Sequence, residues 1–356
     1  MRIGIFLPTG NNGWISSTTA PLFMPTWELN QSVTARAEKY GFDFAMSMVT
    51  FRGYGGVTEH WNHTLETMTL AAALAASTEH IGIYASVGIL SLHPAMVARM
   101  ASTIDAVAPG RFGINIVAGW HREEYAQMGL WPDDDYFSYR YDYASEYVTI
   151  LRELWATGRS DLRGQYFQLD DCMLGPVPAN PVTLISAGAS PRGRRFAAEH
   201  ADYNFTIGHG VAGLERAVAD LAASARETGR SVRPIVQRLI VMDDTDALAR
   251  RRVDHYNSGS DAEALENERN HYALDRSGGS SATLARTINP HRALNPDDGN
   301  LIMGSPRTVA ARLNEIARVD GLDDVLVLFD DFTEPLDRFG QEVVPLLDFP
   351  MGGERP

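Results

Sequence analysis

Eight short runs rich in β-branched and aromatic residues recur along the chain, and stretches with helical spacing separate most of them. The runs are residues 3–7, 42–48, 81–89, 112–118, 182–187, 203–207, 235–242 and 324–329. Helical spacing covers residues 26–40, 96–107, 141–155, 192–200, 213–228, 245–256 and 307–318. Gly41 stops the first of these. Ser190 and Ser305, each followed by proline, start two others, because serine caps free amides and proline is pre-set for a first turn. Alternation of strand and helix gives parallel strands joined by crossovers. Eight such units predict an α/β fold, a (β/α)8 TIM barrel, ahead of a doubly wound open sheet.

The 356 residues exceed the roughly 250 of a typical barrel, and the excess falls in a few places. Residues 10–25, 49–64 and 119–139 each follow a strand, so they belong to the face that carries active sites in such barrels. Residues 259–304 are rich in Ser, Gly, Asn and charge with little apolar pattern; they are expected to form a mobile insertion in an otherwise single domain spanning 1–356. Trp14, Trp61, Trp120 and Trp131 all lie in these loops, where aromatics wall a planar pocket or simply pack a lid.

The net charge of −14 argues against a nucleic-acid partner. One cysteine, Cys172, permits no internal disulfide. No run approaches the ~18 apolar residues of a membrane span. The expectation is a soluble, cytoplasmic protein with no membrane partner.

Several chemistries lack their residues. Gly53-Tyr54-Gly55-Gly56 has neither the spacing nor the strand–turn–helix context of a dinucleotide fingerprint. Around Ser190 the second glycine of a nucleophile elbow is missing. The pairs His60/His63 and His121/Glu124 have no third ligand at zinc-type spacing, so no metal is expected. Asp133–Asp135 and Asp330-Asp331 read as solvated loops. Arg140-Tyr141 at a helix start, with Ser190 at another, suggests an anion site able to hold one phosphate.

The segments IGIFLPTGNNGW, FDFAMSM, LHPAMVARMASTIDAVAPGRFGINIVAGW, EEYAQMG, DDYFSYRYDYASEYVTILRELW and VLVLFDDF, in this order, resemble the bacterial luciferase-like flavin monooxygenases. The likeness runs from Met1 to about Phe349, is weakest over residues 261–300, and is strongest to the branch that opens pyrimidine rings. It implies a TIM barrel that binds reduced FMN (FMNH2), supplied by a separate NAD(P)H:flavin reductase, with O2 as co-substrate and a small heterocyclic substrate. Carried over residue by residue, it puts Val49 and Thr50 beside the flavin ring, Asn115 near the reactive edge and Glu124 in the next loop. Arg140 and Tyr141 hold the phosphate end, with Ser190 opposite. Ser86, Asn115 and Trp120 surround a small dry pocket where a flavin peroxide is protected and oriented. A homodimer or homotetramer is implied by resemblance only.

Five departures bear on the substrate. Thr50 stands where the pyrimidine-opening branch has lysine, Ser86 where it has threonine, and His93 where it has proline. Ser186 and Ala189 replace a cysteine and a glutamine. Two other readings follow: a same-fold monooxygenase that hydroxylates or dehalogenates another heterocyclic or aromatic substrate, and a flavin- or deazaflavin-binding protein that transfers hydride without inserting oxygen.

Overall fold

The first strand, β1 (Arg2–Phe6), pairs in parallel with β2 (Phe44–Ser47) on one side and with the last strand, β11 (Asp324–Phe329), on the other. That pairing of first with last closes a barrel in this computed structural model, which describes residues 1–206, 208–275, 288–297 and 299–352. The circuit continues through β3 (Gly82–Gly88), β4 (Phe112–Val117), β7 (Thr183–Ala187), β8 (Tyr203–Thr206) and β9 (Arg233–Met242), giving eight parallel strands. The expected (β/α)8 TIM barrel is the observed fold, and each of the eight predicted runs holds one barrel strand.

Three further strands were not foreseen. β5 (Arg159–Ser160) and β6 (Cys172–Met173) form a small antiparallel pair outside the barrel. β10 (Leu301–Gly304) pairs with Leu239–Met242, the half of β9 that outruns its neighbour β8.

Helices follow the strands as expected, with caps at Thr26, Ser190, Thr245 and Ser305. The helix Thr67–Ala76 escaped the pattern because its residues are apolar nearly all round, which leaves no periodic face to read. The helix Ala262–Ala273 lies inside the predicted insertion, where only Ala264 and Leu265 are buried, so its apolar stripe is too thin to detect. Residues 276–287 of that insertion lie outside the described residues.

Alternation along each strand decides what fills the barrel. At the N-terminal end the inward positions are Arg2, Phe44, Tyr84, Tyr203 and Asp324. Phe44 and Tyr84 stack at 5.1 Å, and Arg2 lies over Phe44 and Tyr203. The Arg2 guanidinium donates to both oxygens of Asp324, each at 2.7 Å. Gly4 makes room for this floor: a Cβ there would sit 2.2 Å from the Phe44 ring. Further up the strands come Phe6, Met46, Ser86, Asn115 and Phe205, and here the interior opens into a cavity.

Asp324 is fully buried and its carboxylate is hydrogen-bonded by the Arg2 guanidinium, so losing either partner breaks a largely buried ion pair. Asp324→Ala is expected to cost about 3–5 kcal/mol of stability. Urea denaturation checks this, and a change below about 1 kcal/mol would show the floor to be held by the aromatics alone.

Candidate active site

The cavity opens at the C-terminal ends of the strands and has a volume of about 880 Å³, within the range of cofactor-sized pockets. Val49, Thr50, Ser86, Asn115, Trp120, Arg140 and Tyr141 line it. Ser86 on β3 and Asn115 on β4 are register partners, which is why they meet: the Asn115 amide donates to the Ser86 hydroxyl at 2.9 Å. Both are buried, and the Asn115 carbonyl oxygen has no hydrogen-bond partner.

Glu124 and Ser190 stand behind the wall rather than in it. Glu124 is buried, with its carboxylate in short contact with the Thr50 hydroxyl and 3.2 Å from Nδ1 of His121. Ser190 caps the helix Pro191–His200, its hydroxyl accepting from the Gly193 amide at 3.1 Å, while Gly188 and Ala189 just before it line the cavity. A Cβ on Gly188 or Gly193 would sit 2.7 Å from the Tyr141 hydroxyl. These two glycines therefore let a strand end, a helix start and Tyr141 converge.

The helix carrying Arg140 begins at Tyr136 and runs to Thr157, so Arg140 and Tyr141 sit in its second turn, not at its start. Tyr136 is drawn into the helix by burial and by its hydroxyl, which donates to the Ala118 carbonyl at 2.8 Å. Of these two helices, the Ser190 helix is the one whose preceding residues, Gly188 and Ala189, line the cavity. Arg140 is buried, and its guanidinium donates to Asp275 at 2.8 Å. Its Nε has no hydrogen-bond partner.

The long loops supply the upper walls. Trp14, Trp61 and Trp120 line the cavity, whereas Trp131 packs on Tyr136 and Phe137. The NNGW segment ties two loops together. Asn12 adopts the left-handed φ of +62°, its amide donating to the Thr58 carbonyl and its carbonyl accepting from Phe23 N. Asn11 accepts from His63 N and donates to the Glu59 carbonyl. Trp14 is thereby set edge-on to Trp61 at 4.9 Å. Asp330, read from sequence as a solvated loop residue, is buried instead: its carboxylate accepts from the Tyr256 hydroxyl at 2.7 Å and lies 3.5 Å from Arg252.

Thr50 and Ala189, two of the departures, line the cavity. His93 is remote from it. Its Nδ1 caps the helix Pro94–Val107, and its ring packs edge-on against Phe167.

The insertion adds residues that no local motif announces. Leu265, Glu268 and Tyr272 from the helix Ala262–Ala273 close one side, and Tyr272 stacks on Trp120 at 4.7 Å. Asp261 caps this helix and accepts from the amide and hydroxyl of Thr58, docking it on the second strand's loop. Burial pushes the Glu268 carboxyl up to about 7. Between pH 4.5 and 7 the folded chain then holds a proton that the unfolded chain has released, so stability falls as pH rises across that window. Glu268→Gln is expected to remove this fall, narrowing the Tm difference between pH 5 and pH 8. An unchanged difference would mean that Glu268 is ionised throughout.

Residues 1–323 match the family model of the luciferase-like monooxygenases, and the chain belongs to that family. Its resemblance to pyrimidine monooxygenases is equally clear. It is 49% identical over 350 residues to pyrimidine monooxygenase RutA of Klebsiella pneumoniae subsp. pneumoniae, covering 98% of this chain and 96% of that one. Among solved structures, riboflavin lyase (RcaE), crystallised with modified FMN and riboflavin, superposes with a TM-score of 0.82 at 21% identity, covering 97% and 91% of the two chains. EDTA monooxygenase (EmoA) from Chelativorans sp. BNC1 gives 0.80 at 19%, covering 99% and 95%. At those identities the structural matches speak for the fold. Among the described residues no helix is long and apolar enough to cross a membrane.

Proposed function

We propose that the chain is a reduced-FMN-dependent monooxygenase that uses O2 to break a C–N bond next to a carbonyl in a uracil- or thymine-like ring. A separate NAD(P)H:flavin reductase delivers the reduced flavin. The observation that carries this reading is the 49% identity, across nearly the whole of both chains, to a pyrimidine monooxygenase. That relative inserts oxygen by name, which favours oxygenation over hydride transfer.

The residues present suit a flavin. A buried arginine with a free Nε, beside a glycine-lined approach to a helix start, fits the phosphate end. Arg140 and Tyr141 bind there, with the Ser190 helix opposite. Val49 and Thr50 border the ring system, and Glu124 holds Thr50 from behind. Bound reduced flavin supplies the two electrons that activate O2. The protein supplies placement and polarity. The hydroxyl of Ser86 and the amide of Asn115 offer hydrogen bonds at the reacting edge, and Trp120 with Tyr272 keeps water out.

A second reading has specific support. Thr50 and Ala189 both line the cavity, so the heterocycle accepted can differ from the pyrimidine of the relatives. Oxygen uptake tests both readings. With a flavin reductase, FMN and NADH present, uracil or thymine is expected to raise product-coupled O2 consumption. Tight FMN binding with no response to either would leave the cofactor and move the substrate to another ring. Failure to bind FMN would overturn the proposal.

A further inference from the structure

His121, Glu123 and His271 meet outside the cavity wall, although no local spacing joins the third to the first two. His121 Nε2 lies 3.7 Å from Oε2 of Glu123, and His271 Nε2 lies 3.8 Å from the same oxygen. The two imidazole rings are 4.0 Å apart, and one ligand atom from each residue falls within 4.8 Å of the others. His121 is 1% exposed. Its Nε2, the Glu123 Oε2 and the His271 Nδ1 are all buried without a hydrogen-bond partner.

His121 lies between two carboxyl groups. Its Nδ1 faces Glu124 Oε1 at 3.2 Å. Its Nε2 faces a second carboxyl group, that of Glu123, at 3.7 Å. Two imidazole nitrogens and a carboxylate oxygen, all of them donor atoms that cations take, thus converge. Gaps of 3.7 and 3.8 Å are too long for hydrogen bonds. They approach the ~3.4 Å that separates two ligands on a tetrahedral zinc with bonds of about 2.0–2.1 Å. Glu124 behind His121 is the carboxylate that commonly orients a metal-bound histidine.

We propose that His121, Glu123 and His271 form a divalent-cation site suited to zinc, which clips the loop after β4 to the helix Ala262–Ala273. Two imidazoles and one carboxylate, with room for water, are a donor set that zinc favours. The three residues do not line the cavity, so the cation is a clip and takes no part in oxygen chemistry. Its effect reaches the cavity through sequence neighbours: Trp120 precedes His121, Tyr272 follows His271, and these two rings stack as the wall. Cation binding therefore sets how firmly that wall is closed.

Calorimetric titration of ZnCl2 into the chelator-treated, dialysed full-length chain tests this. One zinc per chain is expected. His121→Ala should abolish binding, and His271→Gln, a milder change on a half-buried helix face, should weaken it by more than about tenfold. Circular dichroism on each variant separates lost ligands from lost fold. CoCl2 in place of zinc should give ligand-field bands in the wild type that His271→Gln lacks. His63→Ala is the control, because His63 is an exposed imidazole 3.5 Å from Glu59 and should bind as wild type. Absence of stoichiometric binding, wild-type affinity in folded His271→Gln, or loss of binding in His63→Ala would overturn the proposal.

Discussion

Arg140→Ala is expected to lower the affinity for FMN by about 10²- to 10³-fold while leaving riboflavin affinity nearly unchanged. The difference between the two flavins is the phosphate, and Arg140 is a buried cation of the cavity wall, which also includes Gly188 and Ala189 just before the Ser190 helix. Losing one partner of a buried, hydrogen-bonded charge pair costs several kcal/mol, and each 1.4 kcal/mol is a factor of ten. The expected range follows from that. Arg140 is already bonded to Asp275, a carboxylate brought in by the insertion, so phosphate and Asp275 contend for one guanidinium. Asp275→Asn should therefore act in the opposite direction and raise FMN affinity by about tenfold. The double variant Arg140→Ala/Asp275→Ala should keep the loss of FMN selectivity. Flavin fluorescence titrations with both flavins provide the readout. Equal losses for FMN and riboflavin would place the phosphate elsewhere.

The second large effect falls on turnover rather than binding. Asn115→Ala and Ser86→Ala should each lower kcat by about 10²- to 10³-fold, the usual cost of removing one preorganised hydrogen-bonding group from a developing charge. FMN affinity should change little, because neither residue reaches toward Arg140. The two side chains bond each other at 2.9 Å, so the double variant should lose much less than the product of the single losses. Misplaced oxygen chemistry should appear as hydrogen peroxide, and the peroxide formed per O2 consumed should rise in both variants. Normal product yield in Asn115→Ala would remove that residue from the reacting edge.

The barrel was legible in the sequence because each strand is a separate, locally patterned run flanked by turn residues, and because Ser190 and Ser305 mark their helices plainly. The site was legible only in part. Ser86 and Asn115 meet because strand register forces it, and register follows from the fold once the strands are placed. Arg140 was read as a helix start, since the apolar spacing becomes clear only after it; burial of Tyr136 extends the helix by more than a turn toward the N-terminus. Glu268, His271, Tyr272 and Asp275 were out of reach. Asp275 meets Arg140 across 135 positions, and the helix that brings these residues in buries too few apolar side chains to announce itself. The buried role of Asp330 was missed for a related reason, since Tyr256 and Arg252 reach it from a distant helix.

The most direct test of oxygen insertion is a reductase-coupled turnover under ¹⁸O2, with uracil and thymine offered and products followed by mass. The expected result is one labelled oxygen atom in a ring-opened product. Unlabelled products, with hydrogen peroxide as the sole fate of the O2 consumed, would contradict it.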